Sequence, residues 1–449
     1  MTFIVFKTKE PTFLEPPSFV PSGTLEIEAN GTYNVANKEF VNVLVQNKMI
    51  EQVAISNVCT WVLTKAGDLY GCGRGQSGEQ GNGGSSDILT FTKRMTNVKK
   101  VFCSRYTDIG CTTWALKKDG TLWGTGYATY GQQSDDNINT HNVYSFTQRL
   151  TDVKDAFVYS TMTWALKNDD SLWGTGDNTG GQMGIGSTTP ERVGTFRKIM
   201  DNVKKAQSFG YRTGFVLKTD GTLWNFGSGS AIEMVRTPTQ RLSNVVDFAV
   251  PKITGNGSYS NCWAVRTDGT LWGCGVNSYG QQGNGQSGSS SSYNVKYLTQ
   301  RLTNVKSVAC SGLTTWAIKN DDTLWGCGEG VYGQQGSGDT KNVLTFTQRM
   351  TNVKKVDCEN DFTFALKNDG TLWSCGRNDY GQQGISDTST YVKSFTQRMT
   401  DVKDFYLSDG ITWVLKNDGT LWGTGRNTYG QQSSGNTTTV KAFTQRTFG

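Results

Sequence analysis

The sequence predicts an all-β fold, a β-propeller of four-stranded blades. Three observations carry that expectation. A string close to Ala-Leu-Lys-Asn-Asp-Gly-Thr-Leu-Trp-Gly-Thr-Gly recurs about every fifty residues. Gly (54 of 449 residues) and Trp (13) are abundant, while hydrophobic residues make up only 35%. Each repeat alternates short apolar runs with Gly-containing turns, the pattern of strands and hairpins.

The aromatic of the string falls at Tyr70, Trp123, Trp173, Trp224, Trp272, Trp325, Trp373 and Trp422, so the chain carries eight copies. A second string, close to Phe-Thr-Gln-Arg-Met-Thr-Asn-Val, follows each copy, around Phe91, Phe146, Phe196, Thr239, Thr299, Phe346 and Phe395. It is last seen at Phe443-Thr444-Gln445-Arg446. Two regions result: residues 1–49, an N-terminal arm with a small β anchor, and residues 50–449, eight tandem repeats. Eight repeats predict eight blades; seven blades with one displaced unit are the alternative.

Within a unit, the Val-Lys-Lys-Val run is the first strand and Thr-Trp-Ala-Leu-Lys the second. Thr-Leu-Trp-Gly is the third and Phe-Thr-Gln-Arg-Met the fourth. The second and third are joined by a turn ending at Gly120, Gly221, Gly269, Gly370 or Gly419, where Gly supplies positive φ without steric cost. Asp169-Asp170 and Asp321-Asp322 replace Asp-Gly and read as turn residues rather than an acid/base pair. Stacking blades in a ring buries faces that no single blade can bury alone.

All tryptophans occupy two repeat positions, the Trp123 series and Trp61, Trp114, Trp164, Trp263, Trp316 and Trp413, with Phe215 and Phe364 substituting. Such regularity predicts blade-to-blade packing rather than a single stacking site. Ten Cys follow repeat positions too. Cys72, Cys274 and Cys327 end third strands, and Cys103, Cys310 and Cys358 follow in the next first strands. These are expected to face each other across blades as small apolar groups, largely reduced. Gly-x-Gly, as at Gly124 and Gly126, predicts close strand packing, not a phosphate loop. The Gln pairs (Gln132-Gln133, Gln281-Gln282, Gln334-Gln335, Gln382-Gln383, Gln431-Gln432) and Arg149, Arg301, Arg349 and Arg398 are expected to bond backbone groups between blades.

Chemistry has little to build on. The one His, His141, supports no catalytic set, and no Cys-x-x-Cys pair offers a metal site. No cofactor and no enzymatic activity are expected. The net charge of +6 is spread through the repeats among Asp and Glu, which argues against nucleic acid. No run of the sequence is long enough to span a membrane, and Phe3 to Phe6 is too short for a signal core.

Trp413-Val-Leu-Lys-Asn-Asp-Gly-Thr followed by Leu421 to Gln432 resembles the regulator of chromosome condensation repeat, whose hallmark is an Ala-Leu, acidic-Gly, aromatic-Gly, Asn, Gly-Gln series. The likeness covers residues 50–449; the fourth unit departs most, at Phe226-Gly-Ser-Gly-Ser. Members of that family are usually seven-bladed, and the resemblance implies recognition of proteins through propeller loops. The units diverge between Gly-Gln-Gln and Phe-Thr-Gln-Arg. The partner-binding candidates therefore lie there or in the insertion of unit five: Ser85, Asn137, Asn139, Tyr144, Thr189, Tyr259, Ser290, Tyr293, Asp339, Tyr391 and Thr438.

The arm holds Pro11, Pro16, Pro17 and Pro21, and then alternates as a small β unit whose anchor candidates are Leu25, Ile27, Tyr33, Val35, Phe40 and Val43. Asn30-Gly-Thr-Tyr-Asn-Val, followed by Val41-Asn-Val, is similar to a short module of tail and surface proteins of phages of Gram-positive bacteria. The likeness implies a virion protein of capsid-decoration or head-fibre type, made in the bacterial cytoplasm. Residues 1–49 would hold other virion proteins, and the loops a host surface protein or glycan. The alternatives are a tail-fibre or baseplate host-binding protein and a bacterial protein–protein regulator or inhibitor.

Overall fold

A computed structural model describes residues 49–104, 111–135, 142–159, 161–209, 212–228, 235–251, 260–387 and 391–448. The six anchor candidates, together with Asn137, Asn139, His141 and Tyr259, lie outside these residues.

The first blade pairs strand a (Ile50–Ile55), b (Cys59–Thr64), c (Leu69–Gly73) and d (Ile88–Met95) in that order, all antiparallel. Seven more four-stranded sheets repeat the order. Their a strands are Val98–Cys103, Val153–Val158, Val203–Phe209, Val245–Ala249, Val305–Cys310, Val353–Cys358 and Val402–Ser408. The propeller thus has eight blades, and each is one contiguous stretch of chain. All eight a strands line a central channel of about 740 Å³. The a–b and c–d connections leave each blade at one end, and the b–c turns and blade-to-blade links at the other. The ring therefore has two chemically distinct faces.

Each stretch of the repeat has a structural task. In seven blades the turn Asp accepts both the N–H and the hydroxyl of the residue two further on, and that hydroxyl accepts the strand c indole N–H. In the second blade these are Asp119, Thr121 and Trp123, at 2.9, 2.6 and 2.9 Å. Asp170 and Asp322 take the left-handed turn position with φ of 65° and 64°, as the sequence predicts. The first Gly of Gly-x-Gly lets a Trp lie flat on the strand: a Cβ on Gly326 would sit 2.5 Å from Cζ3 of Trp316. The second has a backbone no side chain tolerates well: Gly328 has φ +112° and lies against the Leu313 carbonyl.

The apolar core is divided into eight clusters, one at each blade interface. The strand b tryptophans sit in them fully buried. Trp61, Trp114, Trp263, Trp316 and Trp413 each meet a strand d Phe of the next blade, with centroids 5.7 to 5.9 Å apart. The expectation that all thirteen tryptophans share this task is corrected by the strand c series. Those seven are half-buried near the b–c turns, where a Lys or Arg of strand b covers most of them, as Lys319 covers Trp325 at 4.1 Å.

The cysteine expectation is corrected as well. None of the ten cysteines forms a disulfide. Strand c thiols turn to the preceding blade, Cys72 donating to Gln431 O and Cys327 to Gln281 O. Cys358 lies on the other side of its neighbour's blade, in the cluster around Trp316. Burial pushes the thiols of Cys59, Cys72, Cys262, Cys327 and Cys375 up, so they behave as apolar filler.

The Gln pairs divide their work. The first bonds the next blade, as Gln281 to Gly312 O and Gln431 to Asn57 O, both 3.1 Å. The second bonds its own strand c, as Gln335 to Cys327 O. Two of the four predicted arginines meet side chains of their own blades instead of backbone between blades: Arg398 donates to Ser374 Oγ, and Arg149 lies 3.9 Å from Asp135.

Candidate partner-binding face

Sequence divergence and structure meet on the face that carries the a–b and c–d loops. Among the described residues, Ser85, Tyr144, Thr189, Ser290, Tyr293, Asp339, Tyr391 and Thr438 are all exposed there. They are spread over seven blades and do not form one cluster. Much of each loop is structural. After Gly-Gln-Gln the chain pairs with strand d of the next blade, at Asn82 and Ser145, Asn284 and Thr345, and Ser337 and Ser394. The loop tips remain as the variable exposed surface.

Those tips are fixed from within. The Asn of the repeat hallmark donates to loop carbonyls: Asn427 to Asn436 O and Thr438 O at 2.8 and 2.9 Å, and Asn178 to Ser187 O and Pro190 O. The Asp339 carboxylate accepts from Ser337 Oγ and Lys341 N, which holds it down from the usual range. Ser290 caps the short turn Ser291–Tyr293. Side chains ordered in this way would lose little entropy on binding.

One sector combines an exposed Val, an aromatic pair and an Arg held by two carboxylates. Val331 is 47% and Tyr391 42% exposed, and the Tyr391 ring meets the edge of Tyr332 with centroids 5.0 Å apart. Arg377 lies over Tyr332 at 5.2 Å and pairs with Asp361 at 3.0 Å and Asp379 at 2.5 Å. The theme continues around the ring. Arg426 stacks on Tyr380 and pairs with Asp409, and Arg74 stacks on Tyr429. Burial raises the Glu329 carboxyl, and neighbouring Asp361 raises it further; Asp361 is itself raised by burial against the pull of Arg377. Exposed aromatics beside Arg and carboxylates have the composition of a protein-binding centre. Of this sector the sequence reading picked out only Tyr391. The residue after Gly-x-Gly is Arg74, Tyr127, Asp177, Ser228, Val276, Glu329, Arg377 or Arg426, and that variation was the available signal.

Among the described residues, no group of three His, Cys, Asp or Glu side chains could hold a metal ion. No helix there is long and apolar enough to cross a membrane.

Residues 353–382 match the family described as Regulator of chromosome condensation (RCC1) repeat. That stretch is a repeat of the RCC1 type. Among solved structures, Prp20p from Saccharomyces cerevisiae is similar at 17% identity and a TM-score of 0.56, over 74% of this chain and 87% of that one. Its report concerns binding to Gsp1p and histones. Yeast RCC1 (Prp20) bound to Kap60 gives 13% identity and 0.56 over 92% and 98%; human WBSCR16 gives 17% and 0.55 over 73% and 93%. At these identities the fold is what is shared with those proteins. No curated protein matches the sequence significantly. The resemblance seen in the sequence is thus borne out for the RCC1-type repeat and the propeller, with eight blades where the family norm is seven.

Proposed function

We propose that this RCC1-type propeller is a non-catalytic binding protein that holds a protein partner on its a–b and c–d face, centred on Val331, Tyr332, Arg377 and Tyr391. The observation that carries this reading is the aromatic pair of half-buried Tyr332 and exposed Tyr391 beside Arg377, on loops held by internal hydrogen bonds. Prp20p, described as binding Gsp1p and histones, supports it by analogy. On the likeness of residues 30–43 to a phage module, the particle is the proposed setting: a virion structural protein of capsid-decoration or head-fibre type, attached through residues 1–49. Replacing Tyr332 and Tyr391 together by Ala should cost partner affinity at least tenfold while the melting temperature holds, read by pull-down and calorimetry. Deleting residues 1–45 should release the propeller from particles banded on a density gradient. Retention of the truncated chain in that band removes the virion anchor. Failure of the double variant to weaken binding removes the face.

A further inference from the structure

The opposite face carries a feature that partner binding does not use. Every a strand has a bulge at its second residue, where pairing with strand b skips one position. A bulge turns its extra side chain out of the sheet. The eight bulge residues are Glu51, Lys99, Lys154, Lys204, Val246, Lys306, Lys354 and Lys403. Because the a strands encircle the channel, six lysine positions stand in a ring around its end, on the face of the b–c turns.

The next residue inward shows what structural charge looks like here. Lys100 pairs with Asp155, Lys205 with Asp247 and Lys355 with Asp404, each across a blade interface at 2.6 to 2.9 Å. That inner ring is neutral pair by pair. In the bulge ring only Lys154 and Lys306 have partners, Asp170 and Asp322, in the two blades whose turn carries Asp instead of Gly. Lys99, Lys204, Lys354 and Lys403 are exposed, and no ion pair engages them among the described residues. The one carboxylate in the ring is Glu51; Asp152 and Asp401 stand just before their strands, whereas Asn97, Asn202 and Asn352 precede Lys99, Lys204 and Lys354.

We propose that this lysine ring binds a linear phosphate polyanion across the channel mouth. Ammonium groups are point charges that neutralise phosphates without reading sequence. Inorganic polyphosphate and a nucleic-acid backbone present the same chemistry. The ring is on the face opposite the proposed protein site, so the two readings stand or fall separately.

The test is fluorescence anisotropy of the full chain with labelled polyphosphate and, separately, a labelled DNA duplex of arbitrary sequence, over a range of salt. The wild type should bind at least one probe, with log affinity falling linearly in log salt. Replacing Lys99, Lys204, Lys354 and Lys403 by Gln should weaken binding at least tenfold and flatten the DNA salt slope by about 0.9 per lysine. The same four as Arg should retain binding. Replacing the exposed Lys296, Lys341, Lys393 and Lys441 of the other face by Gln should leave it unchanged. Binding of one probe alone identifies the source of the phosphates. Binding of neither, or equal loss in both Gln sets with unaltered melting, overturns the proposal.

Discussion

The buried tryptophans show what a single residue contributes. Trp316 is fully enclosed, packs on Phe395 across the interface and lies flat on Gly326. Trp316→Ala should cost about 3–5 kcal/mol. Trp325→Ala, half-buried under Lys319, should cost clearly less; chemical denaturation of both variants checks the order. The fourth blade shows the same packing solved differently. Pro238 stands where other blades place the strand d Phe, and an outer strand tolerates it. Phe226 fills the space from strand c, against Trp164 at 5.6 Å, and Gly214 gives it room, since a Cβ there would sit 2.8 Å from the Phe226 ring. Phe226→Thr alone, which restores the repeat residue, should therefore destabilise by about 3 kcal/mol. Adding Pro238→Phe and Gly214→Thr should recover most of that loss. If the triple variant is no better than the single, the compensation is not there. The sequence made the departure of this unit visible at Phe226. That Phe226, Gly214 and Pro238 answer one another was not legible, because they touch only once strands b, c and d are paired.

At the scale of elements, the turns were the most legible part, because their chemistry is local. Asp-Gly-Thr-Leu-Trp announces a hairpin, and its Asp, Thr and Trp side chains find their partners within two residues. The links from strand d to the next blade were less legible. They use a left-handed Asn or Asp, as at Asn97 and Asp401 with φ of 60° and 57°, a residue type that marks a turn less sharply than Gly. The turns also set an acid limit. The carboxyls of Asp119, Asp169, Asp220, Asp268, Asp321, Asp369 and Asp418 are held low, chiefly by the hydroxyl two residues on and then by its N–H. A lowered acid stabilises the fold above its unfolded pKa of about 3.9 and stops doing so as pH falls through the folded value. Glu79, Glu329 and Asp361 act in the opposite sense. Burial raises them, so the fold gains stability as pH falls from neutral towards their raised values. The melting temperature should rise modestly from pH 7 to about 5 and drop below about 4. Glu329→Gln should flatten the upper limb; a monotonic fall from pH 7 in the wild type would contradict the assignment.

At the scale of the whole molecule, counting repeats was enough to count blades, because each repeat became one blade without a shift of frame. The charge pattern was read less well. Lysines that alternate with acids along the chain separate in space, since one repeat position becomes one ring. Contiguous blades also decide how the ring closes: no strand of the last blade is lent to the first, so closure rests on packing, side-chain bonds and a loop-to-strand backbone bond from Gly435 N to Leu89 O. Those contacts repeat the internal ones. Trp413 meets Phe91 at 5.7 Å, as Trp263 meets Phe346 at 5.7 Å. Gln431 reaches Asn57 O as Gln281 reaches Gly312 O, and Thr60 donates to Gln431 O as Thr315 donates to Gln281 O. Phe448 adds a ring contact at the closure, 5.5 Å from Tyr70. The seam should therefore be no weaker than an internal interface, and nearest-neighbour stability should be uniform around the ring. Phe91→Ala at the closure and Phe346→Ala inside the ring should each cost about 3–5 kcal/mol, agree within about 1 kcal/mol, and leave unfolding a single transition. A closure variant that opens in a separate step at lower denaturant would show that the seam is the weak point and that the packing there does not substitute for a shared strand.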